Sequence, residues 1–218
     1  EGTGNPADTI IPATITLTGA TWVEGLMDRS TNAYALTSFG SSVWSNQGRT
    51  LALNKYLLAT ATALNFTTSD FSAWVWVKST DLTAINYLLS RGLVSTDGWG
   101  FHITAAGAIK FVTNQAAATQ VSFSDDAAVV TGTWYMLGFS RAGAVGKVWK
   151  NGVNVTTTSG NHTNPLTSAR TLKIGAYDDL TLALIGTMAE DGIIGRELFA
   201  EEWRQIYNAG KDLPRYRN

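Results

Sequence analysis

The segment Phe71–Lys78 reads FSAWVWVK, and its side chains alternate between two faces, as they do in a β-strand. One face carries Phe71, Ala73, Val75 and Val77, and the other carries Ser72, Trp74, Trp76 and Lys78. Both faces hold large apolar side chains. The strand is therefore either buried on both sides or presents its two tryptophans on a concave ligand-binding face, and burial is the commoner outcome for tryptophan.

Similar strand-like pieces recur along the chain at intervals of about ten residues, a spacing typical of a sandwich or barrel. They are Thr14–Thr18, Thr50–Leu53, Phe71–Lys78, Tyr87–Ser90, Gly100–Thr104, Ala108–Thr113, Gln120–Phe123, Trp134–Ser140, Lys147–Lys150 and Leu172–Gly175. Between two apolar pieces, Asn151 and Gly152 predict a two-residue type I′ hairpin turn, which requires positive φ at both central residues.

Only the segment 198–209 has the apolar period of a helix. Phe199, Trp203, Ile206 and Tyr207 fall at i, i+4, i+7 and i+8, and Gly210 is placed to cap the C-terminus. We expect this helix to pack against the β-structure. The sequence thus predicts an all-β fold, a two-sheet antiparallel jelly-roll sandwich with one short C-terminal helix.

Composition bounds the function further. The 218 residues are 44% hydrophobic and 15% charged, which suits short strands and tight turns. We expect one domain over residues 14–218, preceded by an extended N-terminal arm at residues 1–13. With a net charge of −1 and scattered Lys and Arg residues, the sequence lacks the basic cluster that is typical of nucleic-acid binding. No apolar stretch approaches the roughly 18 residues of a membrane span, so membrane insertion is not expected.

The motifs that commonly carry catalytic chemistry are missing from the sequence. There is no cysteine, which excludes disulfides, thiolate zinc sites and cysteine nucleophiles. No E-x-D-x-x-E string places glycosidase carboxylates on one strand face, and no G-x-S-x-G elbow is present. The two histidines, His102 and His162, are expected to be packed or surface imidazoles. We therefore predict that the chain is not an enzyme.

Several motifs, taken in order, resemble the laminin G-like, concanavalin A-like lectin/glucanase jelly-roll family. They are Gly48–Leu57, Phe71–Lys78, Leu89–Gly92, Gly132–Phe139, Val148–Gly152, Leu172–Gly175 and Gly186–Ile193, followed by Leu198 and Ala200–Trp203. The resemblance covers roughly residues 28–210. It implies two facing antiparallel sheets, often a calcium ion near one rim, and frequently recognition of glycans or proteins, without fixing a ligand.

Calcium is the one cofactor that the resemblance makes possible, and none is required. Asp28 and Asn32 lie in a loop that resembles the family's D-x-S-G-N-G motif, although the expected glycines are missing. Ala189 also replaces an aspartate of the family's terminal motif. The acidic pairs at 125–126 and 178–179 could bind an ion, but paired aspartates in loops are more often solvated turn residues. We expect at most weak calcium binding.

A glycan site would need flat aromatic rings beside oxygen ligands. Trp99, which follows Asp97 at a turn, and Tyr177, which precedes Asp178 in a loop, are the best-placed candidates, with Trp22 and Trp44 further possibilities. Each could instead be a loop aromatic that covers the edge of the core.

Two functions remain open from the sequence. The first is a structural or adhesion module of an exposed assembly, most consistent with a phage or viral virion domain whose partners are neighbouring protein subunits. The alternative is a secreted or cell-surface module that binds glycans. The low-charge sequence, the absence of cysteine and the N-terminal arm favour the first, and place the protein on a virion or extracellular surface.

Overall fold

The computed structural model describes residues 34–45, 47–60, 62–116, 118–163 and 165–212, which form two seven-stranded antiparallel sheets. Sheet A contains, in spatial order, β1 (Leu36–Phe39), β4 (Tyr56–Ala59), β13 (Leu172–Ile174), β6 (Asn86–Arg91), β7 (Trp99–Ile103), β8 (Ile109–Thr113) and β9 (Val121–Phe123). Sheet B contains β12 (Val153–Asn154), β11 (Val145–Lys150), β10 (Tyr135–Ala142), β5 (Phe71–Ser79), β14 (Gly186–Ile194), β3 (Gly48–Leu51) and β2 (Val43–Ser45). Helix α1 spans Ala200–Gly210. The predicted jelly-roll sandwich is confirmed.

The core lies between the two sheets and depends on the alternation of β5. Phe71, Ala73, Val75 and Val77 all belong to the central apolar cluster. There the ring of Phe139 from β10 stacks on Phe111 from β8, with centroids 4.1 Å apart. This pair joins the two sheets directly, because β10 belongs to sheet B and β8 to sheet A.

The opposite face of sheet B carries Trp74 and Trp76, and helix α1 covers it. Trp76 is buried and stacks on Tyr207 of the helix, while Trp74 is half-buried against Gly192 of β14. Burial, the commoner of the two outcomes expected for these tryptophans, is the one observed for Trp76. A second apolar cluster therefore lies outside the main core, between sheet B and the helix.

The helix begins and ends close to its predicted bounds, but Gly210 does not cap it. Gly210 is the last helical residue, and Lys211 follows in a right-handed conformation. A Cβ on Gly210 would lie 2.8 Å from the ring of Trp76. The glycine is thus required by close packing, which the sequence pattern could not distinguish from a C-terminal cap.

The predicted hairpin turn is confirmed, since φ is +51° at Asn151 and +79° at Gly152. Sequence analysis missed β1, β2, β4 and β14. In β14 the register shifts between Ala189 and Asp191, so the two-residue alternation is broken. The predicted strand Thr14–Thr18 and the predicted arm at residues 1–13 lie outside the described residues.

The segment Val155–Thr163, which we call the strap, bridges the open side of the sandwich. Thr158 pairs with Phe123 of β9 in sheet A, and Asn161 pairs with Val145 of β11 in sheet B. The strap therefore covers backbone groups at the β9 edge that would otherwise be unpaired.

Candidate functional site

Three loops meet on one side of sheet A and form what we call the loop rim, residues 92–98, 165–171 and 175–185. The backbone N–H of Gly98 donates to the carbonyl of Leu166 at 2.9 Å. The backbone N–H of Val94 donates to the hydroxyl of Tyr177 at 2.8 Å. Of the four residues that the sequence suggested for ligand binding, Asp97, Tyr177 and Asp178 lie in the rim, and Trp99 follows it directly.

Trp99 is a core residue and not a stacking platform, which corrects the prediction made for it. Its side chain is fully buried, and its ring lies 5.3 Å from Phe71 and 5.6 Å from Phe139. Strand β7 begins at Trp99, one residue earlier than predicted, and alternation then puts Trp99 on the same face as Phe101. A fully buried ring cannot stack on a sugar.

Tyr177 is also largely buried. Its ring stacks on Tyr87 with centroids 4.5 Å apart, and its hydroxyl accepts the hydrogen bond from Val94. Burial is the largest cause of a raised Tyr177 pKa, with Asp179 and Asp178 acting in the same direction. Tyr177 therefore holds two rim loops together. This agrees with the alternative given for it above, a loop aromatic that covers the edge of the core.

The two rim carboxylates are engaged by protein groups. Asp178 forms ion pairs with Lys173 and, at 2.6 Å, with Nη1 of Arg170. Asp97 accepts a hydrogen bond from the backbone N–H of Leu93 at 3.2 Å, and its carboxylate lies 4.0 Å from Nε of Arg170. The fold thus brings Asp97, Tyr177 and Asp178 together, but their polar atoms stabilise the loops and leave little capacity for sugar hydroxyls.

Two aliphatic side chains stand out among the exposed residues of the rim, which otherwise include polar ones such as Ser95, Thr167 and Thr181. Val94 is 41% exposed and Leu166 is 56% exposed, with the partly exposed guanidinium of Arg170 in the same loops. Ser95 and Leu180 both have positive φ, at +63° and +65°. Such strain in residues other than glycine persists only where surrounding contacts hold it, and it also occurs outside the rim, for example at Ala127 and Asn151. Neither Val94 nor Leu166 stood out in the sequence, because an exposed aliphatic residue has no motif.

A second exposed surface lies where α1 meets the β11–β12 hairpin. Phe199, at the N-cap of the helix, is 67% exposed and Val153 is 59% exposed, on either side of a shallow groove. Lys147 and Glu197 in this groove form an ion pair at 2.9 Å. Phe199 was expected on the packed face of the helix. It lies outside because the helix starts two residues later than predicted, at Ala200, which leaves Phe199 at the N-cap.

Both histidines are buried and held neutral, as packed imidazoles. Burial lowers the pKa of His102 to about 3 and that of His162 to about 4, with nearby cations adding to the effect. Nε2 of His162 lies 2.8 Å from Oγ of Ser122, but both groups are inaccessible to a substrate. This pair therefore lacks the access that nucleophilic catalysis requires.

No group of three or more metal-ligating side chains occurs within the described part of the chain. The predicted calcium ligands, Asp28 and Asn32, lie outside it, whereas Asp125 and Asp126 are exposed loop residues. Across the described ranges, no helix has the length and apolarity needed to cross a membrane.

The sequence profile of the concanavalin A-like lectin/glucanases superfamily matches residues 52–202. Because this match spans more than half of the chain, the chain belongs to that superfamily. No curated protein matches it.

Among solved structures, similar folds occur in three toxin domains. The binding domain of botulinum neurotoxin serotype G is 15% identical with a TM-score of 0.65, and the match covers 85% of this chain and 49% of that one. The receptor binding domain of botulinum neurotoxin C/D mosaic serotype is 13% identical with a TM-score of 0.64, and the match covers 84% of this chain and 48% of that one. The binding domain of Paraclostridial Mosquitocidal Protein 1 is 12% identical with a TM-score of 0.65, and the match covers 88% of this chain and 51% of that one. The chain thus spans about half the length of these structures, and the likeness shows a shared fold.

Proposed function

We propose that this chain is a non-catalytic binding module that contacts a neighbouring protein subunit in an exposed assembly, such as a phage or viral virion. The observation that carries the proposal is the burial of Trp99 and Tyr177 beneath a rim that exposes two large aliphatic side chains, Val94 and Leu166, among polar residues. Aliphatic tips on hydrogen-bonded loops suit the apolar centre of a protein interface. Sugar rings prefer flat aromatic faces, which this rim does not expose.

The superfamily and the toxin binding domains of similar fold support a binding role in general. They do not choose between a protein partner and a glycan, because fold alone does not determine function. The engagement of Asp97 and Asp178 by Arg170, Lys173 and backbone N–H groups supports the protein partner. Glycan binding at a secreted or cell surface remains the second candidate, supported by the superfamily to which the chain belongs.

The test combines a glycan array with assembly of the parent particle. We expect the isolated wild-type chain to give a blank array. Val94→Asp and Leu166→Asp, which place a charge in the proposed interface, should reduce incorporation into the particle at least tenfold while melting is unchanged. Val130→Asp is the matched control, since Val130 is 49% exposed on another loop. Saturable glycan binding, or equal incorporation of all three variants, would contradict the proposal.

The predicted N-terminal arm supplies a separate test of the same proposal. If residues 1–8 reach a neighbouring subunit, their deletion should weaken incorporation and leave the melting temperature of the isolated domain nearly unchanged. A large loss of melting temperature would instead mean that the arm stabilises its own domain.

For calcium, we propose that the chain needs no bound ion. Melting with and without chelator should give the same midpoint within about 2 °C, because Ala189 removes a family carboxylate and Asp28 alone cannot provide the six to eight oxygens that Ca²⁺ takes. A large drop on chelation would show that a bound ion stabilises the chain and would contradict this proposal.

A further inference from the structure

Backbone pairs and several side chains fasten the strap to the sandwich, and His162 is the one strap residue whose side chain is fully buried. The ring is fully buried and stacks on Phe111 of β8 with centroids 4.8 Å apart. Its Nε2 lies 2.8 Å from Oγ of Ser122, which donates its own proton to the carbonyl of Gly146 at 2.9 Å. The neutral ring thus contacts β8, β9 and β11 together.

Gly146 provides the space for this ring. A Cβ at position 146 would lie 2.6 Å from Nε2 of His162, closer than real Cβ contacts. The backbone N–H of His162 also donates to the carbonyl of Ala144 at 2.7 Å. The side chain thus occupies a fitted position between the two sheets, at the end of the strap.

Among the described residues, the cation Arg141 lies beside His162, and no carboxylate bonds its ring. Nε and Nη2 of Arg141, from β10, both approach the carbonyl of His162 at 3.4 Å. The groups facing the ring from β8, β9 and β11 are the neutral Phe111, Thr113, Ser122 and Gly146. Asp70 acts on Arg141, and no carboxylate of the described residues bonds the imidazole. A protonated ring would therefore be a buried positive charge beside the cation Arg141, with no carboxylate bonded to it, which is strongly unfavourable.

We propose that His162 is an acid-sensitive latch, whose protonation releases the strap Val155–Thr163 and uncovers the free edge of β9. The backbone groups of Phe123 that pair with Thr157 and Thr158 would then be available to a strand from another chain. The two-state element is the strap, closed on both sheets or detached from them. Because a detached strap exposes His162 to water, protonation favours the open state. The proposal concerns a different surface from the loop rim and does not depend on it.

Hydrogen exchange measured by mass spectrometry from pH 7 to pH 4.5 tests the latch. The pKa of His162 is about 4 when the strap is closed, and about 6.5 is expected when the strap is open. After correction for intrinsic exchange rates, strap amides should therefore exchange on the order of 50-fold faster at pH 4.5 than at pH 7. Amides of β5 and β10 should change far less. Equal changes in the strap and in these two strands would overturn the proposal.

His162→Gln separates the latch from general acid sensitivity. The glutamine amide can donate to or accept from Ser122 but does not titrate, so strap exchange should lose most of its pH dependence. His102→Gln, which removes the other buried imidazole, is the matched control and should keep that dependence. Strap exchange in His162→Gln with the wild-type pH profile would overturn the latch.

A measurement on the wild-type protein covers the case in which the glutamine variant does not fold. The sequence has only two histidines, so their ring proton resonances can be followed by NMR, with His102→Gln giving the assignment. Protonation of His162 should coincide with the increase in strap exchange. Protonation without that increase would overturn the latch.

Discussion

At the residue scale, Trp203 is the side chain on which helix docking depends most. It is fully buried, stacks on Trp149 at 5.1 Å and donates from Nε1 to the carbonyl of Leu198 at 3.1 Å. Trp203→Ala should reduce the free energy of unfolding by about 3–5 kcal/mol in denaturant titrations, the range for removing a large buried aromatic. Arg204→Ala, next to it but well exposed, should change it by less than about 0.5 kcal/mol. A loss below about 1 kcal/mol in Trp203→Ala would mean that the helix is not docked through this residue.

At the scale of elements, helix α1 lies close to β10 because Gly138 has no side chain. A Cβ there would come within 2.4 Å of the Trp203 ring. Gly138→Ala should therefore displace the helix and lower the unfolding free energy by about 1–3 kcal/mol, the usual cost of overpacking. Gly195→Ala is the control, since its Cβ would meet only Phe66 at an ordinary 3.6 Å. Equal stability of the two variants in thermal or chemical unfolding would show that the helix tolerates displacement.

At the scale of the whole molecule, stability should fall in acid because both histidines are buried neutral. Their folded pKa values are about 3 for His102 and about 4 for His162, whereas histidines of an unfolded chain titrate near 6.5. Below about pH 6.5 the unfolded state binds more protons, so their stabilising effect is complete above that pH and is lost towards pH 4 and below. Denaturant titrations should show a decrease of a few kcal/mol between pH 7 and pH 4.

The variant with both His102→Gln and His162→Gln should have a flatter pH profile over the same range, whatever its absolute stability. Carboxylates add a smaller loss of stability at the acid end of this range. Glu202 is an example, because its hydrogen bond with Arg196 lowers its pKa to about 2. A profile in the double variant as steep as in the wild type would assign the acid sensitivity to those carboxylates.

Much of this architecture follows from local patterns. The alternation in Phe71–Lys78 reflects the two-residue period of a strand, and the Asn151–Gly152 turn reflects the positive φ that a tight hairpin needs, so both were predictable. The helix was predictable from its apolar period. The four missed strands were not, because they are short or interrupted by a bulge and their pairing depends on residues distant in the chain.

The candidate site shows the same division. The sequence by itself determined the residue types available near the turns, Trp99, Tyr177, Asp97 and Asp178, and it contained no catalytic string. Only the tertiary structure decided that Trp99 faces the core and that Arg170 and Lys173 engage Asp178. The physical reason is that strand alternation and turn geometry are properties of neighbouring residues, whereas burial and ion pairing depend on which distant segments pack together. A start of β7 one residue earlier was enough to turn a predicted ligand platform into part of the core.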